Sequence, residues 1–265
     1  MRAERARLPA SLWAVALVGV LAGCRAAAQP TGEPPDYKAM RDAMVDRLVR
    51  AGYVKNERVI EALREVRREA FVPPELRGQA YEDTPLPIGY GQTISAPSIV
   101  ALMTELLDPK PEDVMLEIGT GSGYQAAVLA RLVKHVYTIE ILPELARTAA
   151  ARLKRLGFSN VSVRCGDGYK GWPEHAPFDG IIVTCAPTDI PQALVEQLKE
   201  GGRMVIPVGE LWQQELYLLR KEKGRVVKRA VLPVIFVPMV PGREDQQPKD
   251  IQPPETEGDQ QPNEQ

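Results

Sequence analysis

The chain has 265 residues, 44% of them hydrophobic, a length and composition that suit one main α/β core with extensions. The formal net charge is only −2, so the charge balance favours neither nucleic acid nor an anionic surface as a partner. A small or peptidic substrate fits this balance better.

The first 23 residues have the features of a secretory signal. Three arginines precede a short apolar run at 12–21, and a Leu-Ala-Gly-Cys sequence ends at Cys24. The run is too short to cross a bilayer comfortably as a permanent helix. Leu-Ala-Gly-Cys resembles a bacterial lipobox, in which the cysteine is lipidated and becomes the new N-terminus. The alternative is a chance apolar leader, or a mis-set start codon with translation beginning at Met40 or Met44.

Both ends of the chain differ in composition from its middle. Residues 24–36 are rich in Ala, Pro, Gly and Gln and predict a linker, followed by a folded domain at 37–240. Residues 241–265 contain five Pro, six Gln, one Ile and no aromatic residue. Such a segment cannot bury enough apolar surface to offset its chain entropy, so we predict a disordered tail.

The folded domain is predicted to begin with helices. Apolar residues at helical spacing indicate one helix from about 37 to 52 and a second after Asn56, a residue that caps helices well. Residues 81–96 carry four glycine or proline breaks and predict an irregular stretch, after which a helix begins near Pro97.

Strands and helices then alternate, which indicates a parallel sheet with right-handed crossovers. Strands are predicted at 114–118, 136–140, 161–165, 179–185 and 203–208, and helices at 124–134, 143–156 and 190–199. After Gly209 the pattern predicts a closing antiparallel hairpin at 215–220 and 226–237. The predicted fold class is therefore α/β, a doubly wound, mainly parallel sheet of seven strands with N-terminal helices.

A glycine-rich loop follows the first strand of this sheet. The pattern acidic-x-Gly-x-Gly-x-Gly runs from Glu117 to Gly123 and leads directly into a helix, whose N-terminus can face a ligand. The dinucleotide fingerprint would need a glycine at 124, where the chain has Tyr124. The pattern resembles motif I of S-adenosylmethionine-dependent methyltransferases; an ordinary strand-to-helix turn is the alternative. The donor-binding residues predicted here are Glu117, Gly119, Thr120, Gly121 and Ser122.

The next two strands also end in acidic residues. Glu140, with Ile141 beside it, lies about 20 residues after the glycine loop, where a carboxylate that binds both ribose hydroxyls is expected; a solvent-facing strand end is the alternative. Asp167 and Gly168 follow the third strand, where they can bind an adenine amine or simply form a tight turn. Ligands of doubly wound sheets bind at these carboxyl ends.

Four segments together resemble the protein-L-isoaspartate O-methyltransferase family. They are Gly-Gln-Thr-Ile-Ser-Ala-Pro at 91–97, Gly-Asp-Gly at 166–168, Pro-Phe-Asp at 177–179 and Leu-Lys-Glu-Gly-Gly-Arg-Met-Val-Ile-Pro-Val-Gly at 198–209. The resemblance covers about 40–241, so the leader and the tail lie outside it. It implies methyl transfer from S-adenosyl-L-methionine to the free carboxylate of L-isoaspartyl residues in damaged proteins, which initiates their repair.

The resemblance also implies roles for individual residues. Ser95 takes the catalytic position, where its hydroxyl can orient the substrate carboxylate; a helix N-cap is the alternative. Thr93 and Ile94 line the same cleft, and Gln213 and Gln214 bring polar side chains to it from beyond the fifth strand. The implied partners are isoaspartyl-containing proteins and peptides and no nucleic acid, with the chain acting as a monomer.

The remaining cysteines and histidines are not assigned to chemistry. Cys165 and Cys185 end strands three spacings apart, about 14 Å, which is too far for a disulfide, so both are predicted to be buried thiols. His135 at a helix end and His175 in a proline-flanked loop are given no catalytic role, and no metal site is expected.

Two rival functions stay open on the sequence alone. The first is a methyltransferase of the same fold that acts on a small molecule. The second is a non-catalytic, lipid-anchored peptide-binding module. The localisation also stays open, because the leader suggests an exported lipoprotein attached to a membrane through Cys24, whereas the cytosolic methyl donor suggests the cytoplasm.

Overall fold

The computed structural model describes residues 35–242 and 248–252. The leader, Cys24 and nearly all of the predicted linker fall outside these residues. Within them, no helix combines the length and the apolar character that crossing a membrane requires. The described residues from Asp36 onward belong to one compact unit.

Two helices, α1 (Tyr37–Arg50) and α2 (Glu57–Glu65), open this unit as predicted. Each begins at a side-chain cap: the Asp36 carboxylate accepts a hydrogen bond from the amide of Ala39 at 2.9 Å, and the Asn56 side chain accepts one from the amide of Arg58 at 3.0 Å. Such caps satisfy amides that have no partner within the helix.

The stretch predicted to be irregular contains a small antiparallel hairpin. Its strands are β1 (Leu86–Gly89) and β2 (Gln92–Ile94), and Pro97 then begins α3 (Pro97–Leu107). The prediction missed these strands because their glycine and proline residues are poor strand formers. The hairpin is held instead by packing, since Leu86 and Ile94 are each only 4% exposed.

A mixed sheet of eight strands forms the centre of the fold, in the order β10-β5-β4-β3-β6-β7-β8-β9. The strands from β3 to β7 are parallel, and the pairs β7–β8, β8–β9 and β10–β5 are antiparallel. The strands are β3 (Val114–Ile118), β4 (His135–Glu140), β5 (Val161–Cys165), β6 (Phe178–Val183), β7 (Leu198–Glu210), β8 (Gln213–Glu222), β9 (Arg225–Val234) and β10 (Lys249–Ile251), and the connecting helices are α4 (Tyr124–Ala130), α5 (Pro143–Arg155) and α6 (Gln192–Gln197).

The predicted fold class is confirmed, with corrections at the edges. The tail is not wholly disordered, because Lys249–Ile251 adds an eighth strand by pairing with β5; the tail residues 243–247 and 253–265 lie outside the described part. His135 begins β4 rather than ending a helix, and α4 and α6 are shorter than predicted. Neither Cys165 nor Cys185 forms a disulfide; Cys165 is buried as predicted, whereas Cys185 is half-buried, which corrects that prediction.

The core lies on both faces of the sheet. Along β3, Met115 packs with one hydrophobic cluster and Leu116 with the other, and both are at most 1% exposed. Parallel strands buried on both faces need nearly continuous apolar sequence, which is why these strands were readable from the sequence. Because β3 to β6 run in parallel, their carboxyl ends meet at one edge of the sheet.

Candidate active site

The glycine loop between β3 and α4 needs glycine for two reasons. Gly119 has φ of 95°, and a Cβ there would lie only 2.5 Å from Oγ1 of Thr184. Gly123, with φ of 88°, is the N-cap residue of α4. An L side chain at Gly119 would be strained and would collide with β6, so the loop keeps its backbone exposed to a ligand.

Glu140 ties the end of β4 to this loop. Its carboxylate accepts hydrogen bonds from the amide of Gly121 at 2.8 Å and from the amide of Leu142 at 3.0 Å. The residue is 5% exposed, which contradicts the solvent-facing alternative. Burial raises the pKa of Glu140, while these backbone amides act in the opposite direction. The amide of Ile141 also bonds this carboxylate, which has about four acceptor positions, so at least one position remains for a ligand.

A cavity of about 240 Å³ opens at this edge of the sheet. Glu140 and the loop glycines Gly119 and Gly121 line it, together with apolar side chains at the ends of β3 and β4. The cavity has one charged wall beside a mainly apolar one, as in sites for ligands of mixed polarity. Its apolar lining includes Ile118, Ile139, Ile141 and Leu142, and the segment 237–240 closes the opposite side.

The turn after β5 has a clear structural role. Oδ1 of Asp167 accepts a hydrogen bond from the amide of Tyr169 at 2.9 Å, so the tight-turn interpretation is correct. Gly168 lines the main cavity, whereas Asp167 lines a smaller neighbouring cavity of about 130 Å³. Ile139 borders both cavities, so the Asp167 turn lies at the partition between them. Binding of adenine by Asp167 stays a prediction.

Ser95 does not cap the helix that follows it. The first turn of α3 is capped from a distance, because the Asp83 carboxylate accepts a hydrogen bond from the amide of Ser98 at 2.8 Å. Ser95 is half-buried and borders two clefts, one beside the segment 233–237 and one beside the glycine loop. The N-cap alternative is therefore wrong, and the hydroxyl is left to face these clefts.

Thr93 and Thr184 connect the Ser95 clefts with the main cavity. Both residues line the 240 Å³ cavity and both clefts. The Thr184 hydroxyl lies 2.7 Å from the carbonyl of Gly119 and 3.0 Å from that of Ile118, so it holds the glycine loop against β6. Sequence reasoning missed Thr184, although its place directly after the fourth parallel strand is a position where ligands bind.

Other predicted residues support the loop from beneath. Glu117 is fully buried, and its Oε2 accepts a hydrogen bond from the Thr138 hydroxyl at 2.5 Å. The Thr138 hydroxyl also bonds that of Thr120 at 2.7 Å. Ser122 and Ile94 are nearly buried, and both border only the small cleft beside the loop. Glu117 lines none of these cavities, so it supports the glycine loop through Thr138 and Thr120 and does not contact a ligand in them.

The predicted site residues Gln213 and Gln214 differ in their surroundings. Gln214 is 4% exposed, and its side chain both accepts a hydrogen bond from the amide of Phe236 at 2.6 Å and donates one to the Phe236 carbonyl at 3.0 Å. Its amide group therefore fixes the 233–237 segment, while Gln214 also borders the open cleft beside Trp212, so a contact of Gln214 with a substrate stays a prediction. Gln213 is exposed and borders an open cleft with Trp212 and Ile235.

The histidines and cysteines add no metal chemistry to this site. His175 stacks on Tyr137 with ring centroids 4.0 Å apart, and neither it nor His135 borders the cavity. Cys185 does line the cavity, and burial raises its pKa to about 12, so it is a neutral thiol. Within residues 35–242 and 248–252, no group of three or more His, Cys, Asp or Glu side chains could hold a metal ion.

Comparisons with known proteins agree with this geometry. Residues 39–244 match the family model for protein-L-isoaspartate(D-aspartate) O-methyltransferase (PCMT). The chain is 60% identical over 187 residues to protein-L-isoaspartate O-methyltransferase 2 of Syntrophobacter fumaroxidans, covering 70% of this chain and 76% of the relative. It is 52% identical over 216 residues to the protein-L-isoaspartate O-methyltransferase of Hyperthermus butylicus, covering 77% and 90%.

Solved structures point the same way. A Plasmodium falciparum β-aspartate methyltransferase (PCMT) in complex with S-adenosyl-L-homocysteine superimposes with a TM-score of 0.67 at 27% identity, covering 76% of this chain and 98% of that structure. A second structure, of a protein-L-isoaspartate O-methyltransferase, gives a TM-score of 0.68 at 32% identity, covering 75% of this chain and 65% of that one.

Proposed function

Because the chain belongs to the protein-L-isoaspartate(D-aspartate) O-methyltransferase family, we propose that its 240 Å³ cavity holds the methyl donor and that the clefts beside Ser95 admit the substrate carboxylate. The enzyme uses S-adenosyl-L-methionine to methylate the free carboxylate of L-isoaspartyl residues. The methoxy group of the ester leaves more readily than the oxygen of a free carboxylate. The neighbouring backbone amide nitrogen can therefore displace methanol to re-form the succinimide, which water reopens to normal aspartate or to isoaspartate.

The residues of the cavity fit an adenosyl donor. Glu140 offers carboxylate lone pairs to ribose hydroxyls, and the apolar side chains of Ile139, Ile141 and Leu142 offer a surface for a flat base. The glycine loop presents backbone without a Cβ at Gly119 and Gly121, which leaves room for close approach. The cavity is therefore partly apolar and partly anionic, which suits a cationic nucleoside derivative.

The chemistry asks little of the protein in the way of acid or base. When bound, S-adenosyl-L-methionine supplies an activated methyl group on a positively charged sulfur. The substrate carboxylate, with a pKa of about 4, is already ionised at neutral pH and already nucleophilic. Ser95 can donate a hydrogen bond to one carboxylate oxygen and leave the other free to react. The apolar walls exclude water around the reacting charges.

A shared boundary carries this proposal. Thr93 and Thr184 line the donor cavity and both clefts of Ser95, so a carboxylate held at Ser95 lies next to a ligand in the cavity. Direct transfer requires a donor and an acceptor that lie next to each other, and the shared lining residues place the two sites side by side.

The test uses two synthetic peptides of one sequence, one with an isoaspartyl residue and one with a normal aspartyl residue. The full chain is incubated with each peptide and with donor labelled in its methyl group. Label should enter only the isoaspartyl peptide, as a base-labile ester. Label in a non-peptide acceptor alone would favour the small-molecule methyltransferase, and donor binding without any transfer would refute the proposed placement of both substrates.

The open cleft beyond Ser95 is proposed to receive the residues that flank the isoaspartate. Ile235 borders both the Ser95 cleft and the cleft of Trp212, so the two clefts adjoin, and we refer to them together as the groove. Its lining includes two exposed apolar side chains: Trp212 is 79% and Ile235 67% exposed. An apolar flanking side chain gains more from such a surface than a polar one.

The cellular location is a separate proposal, supported by the sequence alone. We propose export and lipidation at Cys24, since the leader has a basic, an apolar and a small-residue region in order. Mass spectrometry of the N-terminus after expression in a bacterial host tests this. A lipidated Cys24 as first residue supports export, whereas a chain that begins at Met1, Met40 or Met44 supports the cytoplasm. A monomer is proposed as well, and light scattering of the purified chain tests it.

A further inference from the structure

The strand β10 lies outside the part of the chain that matches the family. The family model ends at residue 244, whereas β10 spans Lys249–Ile251. It pairs antiparallel with the edge of β5, placing Lys249 opposite Cys165 and Ile251 opposite Val163. The strand therefore covers an edge of the sheet that would otherwise be open, directly before the Gly166–Gly168 turn.

Side chains fix β10 in this position. The Asp250 carboxylate accepts a hydrogen bond from Nε of Arg164 at 2.6 Å. Arg164 is only 9% exposed, binds Glu174 through its other side at 3.0 Å, and lies over the Trp172 ring at 4.0 Å from the centroid. Glu174 and Trp172 hold the guanidinium in place, so it gives the more exposed Asp250 carboxylate a fixed partner that supports the register set by the backbone pairing.

The same C-terminal segment contacts the turn from two directions. A Cβ on Gly166 would lie 3.4 Å from Cβ of Pro248, so the ring of Pro248 packs against the turn. A Cβ on Gly242 would lie 2.8 Å from Cβ of Asp167, so the backbone at Gly242 lies directly against the Asp167 side chain. The turn is thus held between Gly242 on one side and Pro248 on the other.

We propose that Gly242 together with residues 248–251, the C-terminal clamp, fixes the Gly166–Gly168 turn in the conformation that binds the adenine end of the donor. This proposal rests on the donor site assigned above. A turn ordered before binding loses less conformational freedom when the ligand arrives, so preorganisation raises affinity without adding a contact. The clamp would then lower the dissociation constant for the donor and for its demethylated product alike.

Two truncations test the clamp against a matched control. One protein ends at Gln252 and loses only residues beyond β10, and the other ends at Gly242 and loses β10 as well. Calorimetric titration with S-adenosyl-L-homocysteine should give the first protein the affinity of the full chain. The second should bind at least fivefold more weakly, with the same loss for adenosine alone. An affinity within twofold of the full chain in the second protein overturns the proposal.

Point variants decide the matter if the shorter protein does not fold. Asp250→Ala should raise the dissociation constant of S-adenosyl-L-homocysteine at least threefold, while Gln252→Ala, exposed and directly after β10, should not change it. At saturating donor the turnover of Asp250→Ala should equal that of the unchanged protein, because the clamp acts on binding. Equal dissociation constants for both variants overturn the clamp, whereas a full chain that fails to bind the product refutes the donor site itself.

Discussion

Glu117 offers a test of the electrostatics beneath the glycine loop. Its carboxyl group is fully buried, and Oε1 has no hydrogen-bond partner in the described part of the chain. Burial raises the pKa of Glu117 from 4.5 to about 8, and the nearby negative charge of Glu140 adds to this, while the hydrogen bond from Thr138 opposes it. The folded protein therefore holds Glu117 largely protonated at neutral pH.

The sign of the pH dependence follows from this raised pKa. The stability that Glu117 contributes is fully present below pH 4.5 and is lost as the pH rises towards 8, because only the unfolded chain ionises freely in that window. Each pKa unit corresponds to about 1.4 kcal/mol, so the loss over the three units between pH 5 and pH 8 is at most about 4 kcal/mol. Glu117→Gln cannot ionise and should not show this loss.

Urea unfolding of both proteins at pH 5, 6, 7 and 8 measures the effect. The free energy of unfolding of Glu117→Gln minus that of the unchanged protein should rise steadily across this range. Any constant cost of the buried amide cancels in the comparison. Glu112→Gln, at an exposed position, serves as the control and should give a flat difference. A flat difference for Glu117→Gln as well, within about 0.5 kcal/mol, would show that Glu117 does not carry a raised pKa.

Three further substitutions test the site itself. Ser95→Ala should lower turnover of an isoaspartyl peptide while leaving the dissociation constant of S-adenosyl-L-homocysteine nearly unchanged; an unaltered rate, matching the exposed control Ser159→Ala, would remove Ser95 from the mechanism. Glu140→Ala should weaken calorimetric binding of the same ligand about tenfold or more, the loss of 1–3 kcal/mol for hydrogen bonds to a charged group, and an unchanged affinity would place the ribose elsewhere. Trp212→Ala should raise KM about fivefold for isoaspartyl peptides with apolar flanking residues but not for those with serine there, a loss of roughly 1 kcal/mol. The control is Val227→Ala, 57% exposed on β9, and equal effects on both peptides would contradict the groove.

Much of the donor site could be predicted because its residues follow parallel strands. Strand patterns mark β3, β4 and β5, and the residues at the carboxyl ends of parallel strands meet at one edge of the sheet. The glycine-loop pattern and the order of the strands therefore predict that Glu117, Glu140 and Asp167 lie in the same region. The sequence could not show that Glu140 binds the loop through Gly121 while Glu117 lies buried beneath it, since both are acidic residues near strand ends.

Local sequence therefore determined the alternating strands, the glycine loop and the identity of the family, because periodicity and backbone freedom act over a few neighbouring residues. Tertiary structure decided which polar groups are already engaged. Asp83, rather than the adjacent Ser95, caps the first turn of α3, and the Gln214 side chain is hydrogen-bonded to Phe236. β10 forms in a polar, proline-rich segment because the open edge of β5 and the Arg164 guanidinium supply partners that its own sequence lacks. Contacts between residues far apart in the chain settle such outcomes, and no local pattern records them.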